Sequence, residues 1–160
     1  MARYTFNETQ RFTQLWIWGL LILVSAISIY GIASQPMEGW ELVPLVVILG
    51  TVLVLFVSMQ LKTRIDESGL TFSFFPFIGD RKYNLEDIQK LELIEYNSIF
   101  KFGGWGIRYN FFMWAYNVRG KHGLVVHLKD KKFLLGTQKP EGIKKVIEQF
   151  RELKGGDYAS

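Results

Sequence analysis

The 160-residue chain contains no cysteine. Disulfide staples, Cys-ligated zinc, iron–sulfur clusters and thiol nucleophiles are therefore excluded. Only two histidines are present. His122 and His127 are five apart with no third ligand evident, a poor start for a metal site. The chain also lacks a nucleophile elbow, an HExxH pattern and a convincing carboxylate pair. These absences lead to an expectation of no catalytic residue, no metal ligand and no cofactor. Disorder is excluded by content, since 49% of residues are hydrophobic and 16% aromatic. The length allows one domain, or a small domain with a membrane anchor.

The longest stretches without charge lie near the N-terminus. Leu15–Ala33 (LWIWGLLILVSAISIYGIA) and Leu42–Met59 (LVPLVVILGTVLVLFVSM) contain no charged residue. About 20 apolar residues are needed to cross the hydrocarbon core as a helix. Two helices apolar all round also have too little other chain to cover them in water. The spacing predicts an antiparallel transmembrane hairpin over 15–33 and 42–59, closed by Ser34–Glu41 with Pro36 and Gly39 in the turn. Trp16, Trp18, Tyr30 and Trp40 fall near the span ends, where aromatic belts form. The first run is too long for a signal-peptide core, and a second run follows at once.

Charge asymmetry predicts orientation. The loop holds Glu38 and Glu41, whereas Arg3, Arg11, Lys62 and Arg64 flank the spans. The positive-inside rule then places both termini in the cytoplasm of a multi-pass protein. With no Asp, Glu, Lys, Arg or His inside either span, the helices read as an anchor rather than a transport path.

Residues 1–61 are thus expected to form a tail and membrane hairpin, and 62–160 a cytoplasmic domain. Short alternating runs at 63–66, 70–78, 81–83, 88–96, 107–109, 114–118, 124–128 and 132–136 suggest about seven antiparallel strands. A turn is expected at Gly79-Asp80. Near the C-terminus, Ile143, Val146, Ile147, Phe150 and Leu153 recur at helical spacing after Pro140. That pattern predicts an amphipathic helix over about 140–154, stopped by Gly155-Gly156. Strands followed by one such helix suggest a small barrel or sandwich with a helical cap.

Two spans, the phrase Phe102-Gly103-Gly104-Trp105-Gly106-Ile107-Arg108 and the helix start Gly136-Thr137-Gln138-Lys139-Pro140-Glu141 resemble bacterial pleckstrin-homology-like (PH-like) membrane proteins. The resemblance implies a seven-stranded barrel capped by a C-terminal helix, in a bacterial plasma membrane. It implies no activity, because PH-like domains bind phosphoinositides in some settings and peptides or sister subunits in others.

The net charge of +4 is unevenly spread. Residues 97–139 hold eight basic side chains against Asp130 alone. Lys101, Arg108, Arg119, Lys121, Lys129, Lys131 and Lys132 are the candidate anion- or headgroup-binding residues, each worth about 1 kcal/mol near an anionic bilayer. The expected partners are the bilayer, anionic lipid headgroups or another membrane protein, including a second copy. Nucleic acid is disfavoured by the anchor. The expected function is a non-enzymatic binding module at the membrane surface; the alternative is an assembly subunit of a membrane complex or homo-oligomer.

Overall fold

Alternation along the chain dictates most of the elements seen in the computed structural model, which describes residues 5–13, 15–34, 40, 42–97 and 104–156. The chain separates into two compact units, Phe12–Met59 and the combination of Met1–Arg11 with Gln60–Ser160.

The first unit is helical. Helix α1 spans Leu15–Ala33 and α2 spans Leu42–Ser58, and neither contains a buried residue. At 1.5 Å per residue these are about 28 Å and 26 Å long, against a hydrocarbon core of about 30 Å. Helix α1 is long and apolar enough to cross a membrane, and α2 is equally apolar but shorter. Ser25 and Thr51 hydroxyls each donate to the carbonyl four residues earlier, at 2.7 and 2.8 Å. Their polarity is thus absorbed within the helix. Phe12 meets Phe56 edge to face at 5.9 Å, which brings the start of α1 beside the end of α2. The expected turn residues Pro36, Glu38, Gly39 and Glu41 lie outside the described residues.

The second unit is mainly β. Its strands are β1 (Phe6–Arg11), β2 (Gln60–Asp66), β3 (Gly69–Phe75), β4 (Ile78–Asn84), β5 (Ile88–Glu95), β6 (Gly106–Tyr109), β7 (Trp114–Asn117), β8 (His122–Leu128) and β9 (Lys132–Thr137). Helix α3 (Pro140–Gly156) follows. Nine strands among the described residues thus stand where about seven were expected, and β1 matches none of the eight alternating runs. Strands β1 to β4 form one antiparallel sheet in chain order, and the second sheet has the order β5-β8-β9-β7-β6. Its β7–β9 pair is parallel, and the rest are antiparallel.

Strand β1 changes the domain division. The expected boundary at 61/62 set Phe6–Arg11 with the membrane segment, but these residues pair with β2 from Phe6↔Ile65 to Arg11↔Gln60. The helical unit is therefore an insertion between two neighbouring strands of one sheet.

The two sheets do not close into a barrel. Among the described residues no strand pair joins them, and side chains make the connection instead. The Phe72 ring on β3 lies 4.9 Å from Tyr116 and 5.3 Å from Phe133, and Tyr83 on β4 lies 5.2 Å from Phe133. The β1 side chains add polar ties to β9. Glu8 accepts hydrogen bonds from Thr137 Oγ1 at 2.6 Å and from the Gln138 amide at 2.8 Å. Gln10 donates to the Gly136 carbonyl at 2.6 Å. All three polar side chains, Glu8, Gln10 and Thr137, are buried.

Helix α3 packs over β5, β8 and β1 and buries Ile143, Val146, Ile147 and Phe150. Leu153, expected on the same stripe, is exposed. The opposite face of the five-stranded sheet is also apolar, with Tyr96, Ala115, Val125 and Leu134 buried together. The β3–β4 turn falls at Pro76-Phe77, and the Phe77 amide donates to the Phe74 carbonyl at 2.9 Å. The expected turn residues Gly79 and Asp80 are instead part of β4.

Candidate functional site

Position along the chain and position in space diverge for the basic residues. Arg119 and Lys121 lie in the β7–β8 connection, whereas Lys129, Lys131 and Lys132 lie at the β8–β9 turn. Strand β8 separates them. Eight residue steps at about 3.4 Å put Lys121 about 27 Å from Lys129, more than three screening lengths at physiological salt. Arg108 sits on β6, the edge strand, and donates from Nε to the Trp105 carbonyl at 3.2 Å. Lys131 points across to β4, its ammonium 5.4 Å from the Tyr83 ring centre. Lys101 lies outside the described residues. Basic residues clustered along the chain are therefore divided in space, because a β-strand carries the chain from one end of the sheet to the other.

One of the seven, Lys129, belongs to a different basic cluster. A groove of about 570 Å³ is lined by Glu86, Gln89, Lys90, Leu91, Lys129, Phe150, Arg151 and Lys154. Three segments build it. The short 3-10 turn Leu85–Asp87 leads into β5, Ile88 pairs with Leu128 so that Lys129 emerges beside it, and the last turns of α3 close the third side. Lys154 donates to the Ile88 carbonyl and lies 5.3 Å from the Phe150 ring centre. Basic residues in a helix's last turn also face the negative end of its dipole.

Lys90 pairs with Glu92, whose other oxygen lies 2.8 Å from His127 Nε2. The hydrogen bond from Lys90, then that from His127, holds the Glu92 carboxyl below the usual carboxylate range. The groove itself carries four cations against Glu86 alone, a surplus of three positive charges among its lining residues. Its chemistry suits an anionic group, with Leu91 and Phe150 offering apolar contact alongside. Lys90, Arg151 and Lys154 were not singled out by charge along the chain. The first lies in a net-acidic segment and the others on the wet face of a charge-balanced helix.

The glycine-rich bend is structural where it is described. Gly104 and Gly106 have φ of +127° and +106°, a region that favours glycine. The Gly106 amide donates to Asn117 Oδ1 at 3.0 Å, and Asn117 Nδ2 donates to the Tyr96 hydroxyl at 3.1 Å. His122 and His127 both lie on β8 and, five apart, face opposite sides. Among the described residues no three His, Asp or Glu side chains cluster as metal ligands.

An aromatic surface stands apart from the groove, on the β6–β7 hairpin. Phe111 and Phe112 at its tip are 89% and 78% exposed. Tyr109 stacks at a tilt on Trp114 at 5.1 Å, and both are also exposed. Asn110 Oδ1 accepts from the Met113 amide at 3.1 Å and holds the turn. Compared with protein-family models, curated proteins and solved structures, the chain matches none.

Proposed function

We propose that this is a non-enzymatic membrane-anchored binding module: α1 and α2 form a two-span hairpin, and the β unit receives an anionic group at the membrane surface. The groove of Lys90, Lys129, Arg151 and Lys154 carries the reading. Each Lys or Arg near an anionic bilayer contributes about 1 kcal/mol, and tethering raises the effective concentration of the site further.

The paired residues Arg11 and Gln60 support the hairpin. A segment that leaves and rejoins one sheet at adjacent strands must cross a membrane an even number of times. Arg11, Lys62 and Arg64 on that sheet favour the cytoplasmic side. A four-stranded antiparallel sheet, a second sheet and a closing helix support a PH-like relationship; the parallel β7–β9 pair and the unclosed sheets depart from a seven-stranded barrel.

The test uses the full chain in zwitterionic nanodiscs with a fluorescent short-chain phosphatidic acid as probe. Binding should weaken at near-physiological salt, be competed by inorganic phosphate and fall about thirtyfold in Lys129→Ala/Arg151→Ala, the loss of two charge contacts. Equal binding by that variant would refute the site.

A second reading, assembly with another copy, is favoured by the exposed Phe111 and Phe112. Crosslinking in the membrane should then be insensitive to salt and lost in Phe111→Ser/Phe112→Ser. An unchanged crosslink in that variant removes the hairpin tip from any interface.

A further inference from the structure

We propose that the β3–β4 turn, Phe75-Pro76-Phe77, inserts into the interfacial layer of the bilayer and sets how the β unit stands on the membrane. This rests on the reading of α1 and α2 as membrane spans.

The argument is one of register. Arg11 pairs with Gln60, and Gln60 pairs with Phe75. The end of β1, the start of β2 and the end of β3 therefore share one end of the sheet. Through that end the chain leaves for the helices and returns. Gln60 is two residue steps from Ser58, the last residue of α2. Two steps reach at most about 7 Å, and neighbouring strands lie about 4.8 Å apart. The interfacial layer on each side of the hydrocarbon is about 5–8 Å thick. Chain length alone thus keeps the turn within about 12 Å of the end of α2, on the order of two such layers.

The turn's chemistry fits that depth. Phe75 and Phe77 are 52% and 56% exposed, at the tip of a sheet whose other aromatics are largely covered. Pro76 has no amide to satisfy, and the Phe77 amide is bonded to the Phe74 carbonyl. Little backbone desolvation therefore opposes insertion. The opposite end of the same sheet is built from Asp66, Glu67, Ser68 and Gly69, with the Ser68 amide and hydroxyl on the Asp66 carboxylate at 3.0 and 2.6 Å. One end of the sheet carries the exposed Phe75 and Phe77 beside the cation Arg11, and the other is polar and acidic. Exposed Phe side chains bury at the headgroup–acyl boundary of a bilayer, whereas carboxylates favour water.

The absence of cysteine permits single-site labelling of the full chain. Phe77→Cys, Phe75→Cys, Ser68→Cys and Leu23→Cys variants would each carry an environment-sensitive fluorophore in phosphatidylcholine/phosphatidylglycerol vesicles. Lipids spin-labelled at shallow and deep acyl positions and aqueous iodide serve as quenchers. Shallow spin labels should at least halve emission from positions 77 and 75, and iodide should leave it intact. Position 68 should show the reverse, and position 23 should respond to the deep label. If position 23 is quenched while 77 and 75 behave like 68, the turn proposal falls and the spanning reading stands. If 77 and 75 are quenched but 23 is not, the turn contacts lipid and the spanning reading falls. Blue-shifted emission at 77 without lipid quenching would mean a protein surface covers the turn, which also overturns the proposal.

Discussion

Replacing Glu8 tests whether the N-terminal segment is a working strand of the β unit rather than a tail. The buried Glu8 carboxylate accepts from the Thr137 hydroxyl and the Gln138 amide, at 2.6 and 2.8 Å. Hydrogen bonds to a charged acceptor contribute about 1.5–3 kcal/mol each. Desolvation of the carboxylate offsets part of that sum. Thr137 Oγ1 also accepts from the Lys139 amide at 3.0 Å, so its hydroxyl keeps one partner after truncation. Glu8→Ala should therefore destabilise by about 3 kcal/mol, while Glu8→Gln, which keeps one acceptor for Gln138, should lose about 1 kcal/mol. A double-mutant cycle with Thr137→Val should give a coupling of about 1–2 kcal/mol. Urea unfolding of the full chain in detergent micelles, followed by near-UV circular dichroism, measures the four variants beside the unsubstituted protein. A Glu8→Ala cost within about 0.5 kcal/mol of zero, the range of an ordinary surface change, would refute the strand.

Three further outcomes follow from the same geometry. Replacing residues 12–59 with Asn-Gly joins the paired Arg11 and Gln60 through a two-residue hairpin. The product should be water-soluble with dispersed amide resonances, and a fragment starting at Gln60 should unfold at lower urea because the place of buried Phe6 is empty. The Ser68 hydroxyl, then its amide and Arg64, hold the Asp66 carboxyl below its ordinary value. The turn's stabilisation is thus present above the unfolded-state pKa and lost as pH falls through the folded-state one. Carboxyl-carbon NMR in the spliced protein should give a depressed midpoint, and a midpoint at the ordinary value contradicts the turn geometry. In Gly123→Ala, the new Cβ would lie 2.8 Å from Tyr96 Cε1 and 2.9 Å from Leu134 Cδ2. Overpacking there should cost about 1–3 kcal/mol in the same urea assay.

The apolar runs, the hairpins after residue 60 and the closing helix were legible because each follows a local rule. Leu15–Ala33 coincides with α1, an unbroken apolar run of helix-spanning length. Leu70, Phe72 and Phe74 are buried as their alternation requires. Ile143, Val146, Ile147 and Phe150 line one side of α3 as their spacing requires.

Strand β1 was not legible, for a definite reason. Its inward positions are Phe6, Glu8 and Gln10, so only one of three is apolar. Polar inward positions are stable there because Gly136, Thr137 and Gln138 supply partners from more than 120 residues away. The basic groove was hidden for a related reason. Summed charge weighs neighbours in the chain, and β8 carries Lys121 and Lys129 to opposite ends of a sheet while α3 returns Arg151 and Lys154 beside β5. By itself the sequence determined which segments are apolar throughout and which faces of the local elements are apolar, because apolar patterning is read from nearest neighbours. The tertiary structure alone decided that the helical segment is inserted within a sheet and which cations share a groove, because both depend on contacts made only when distant strands pair.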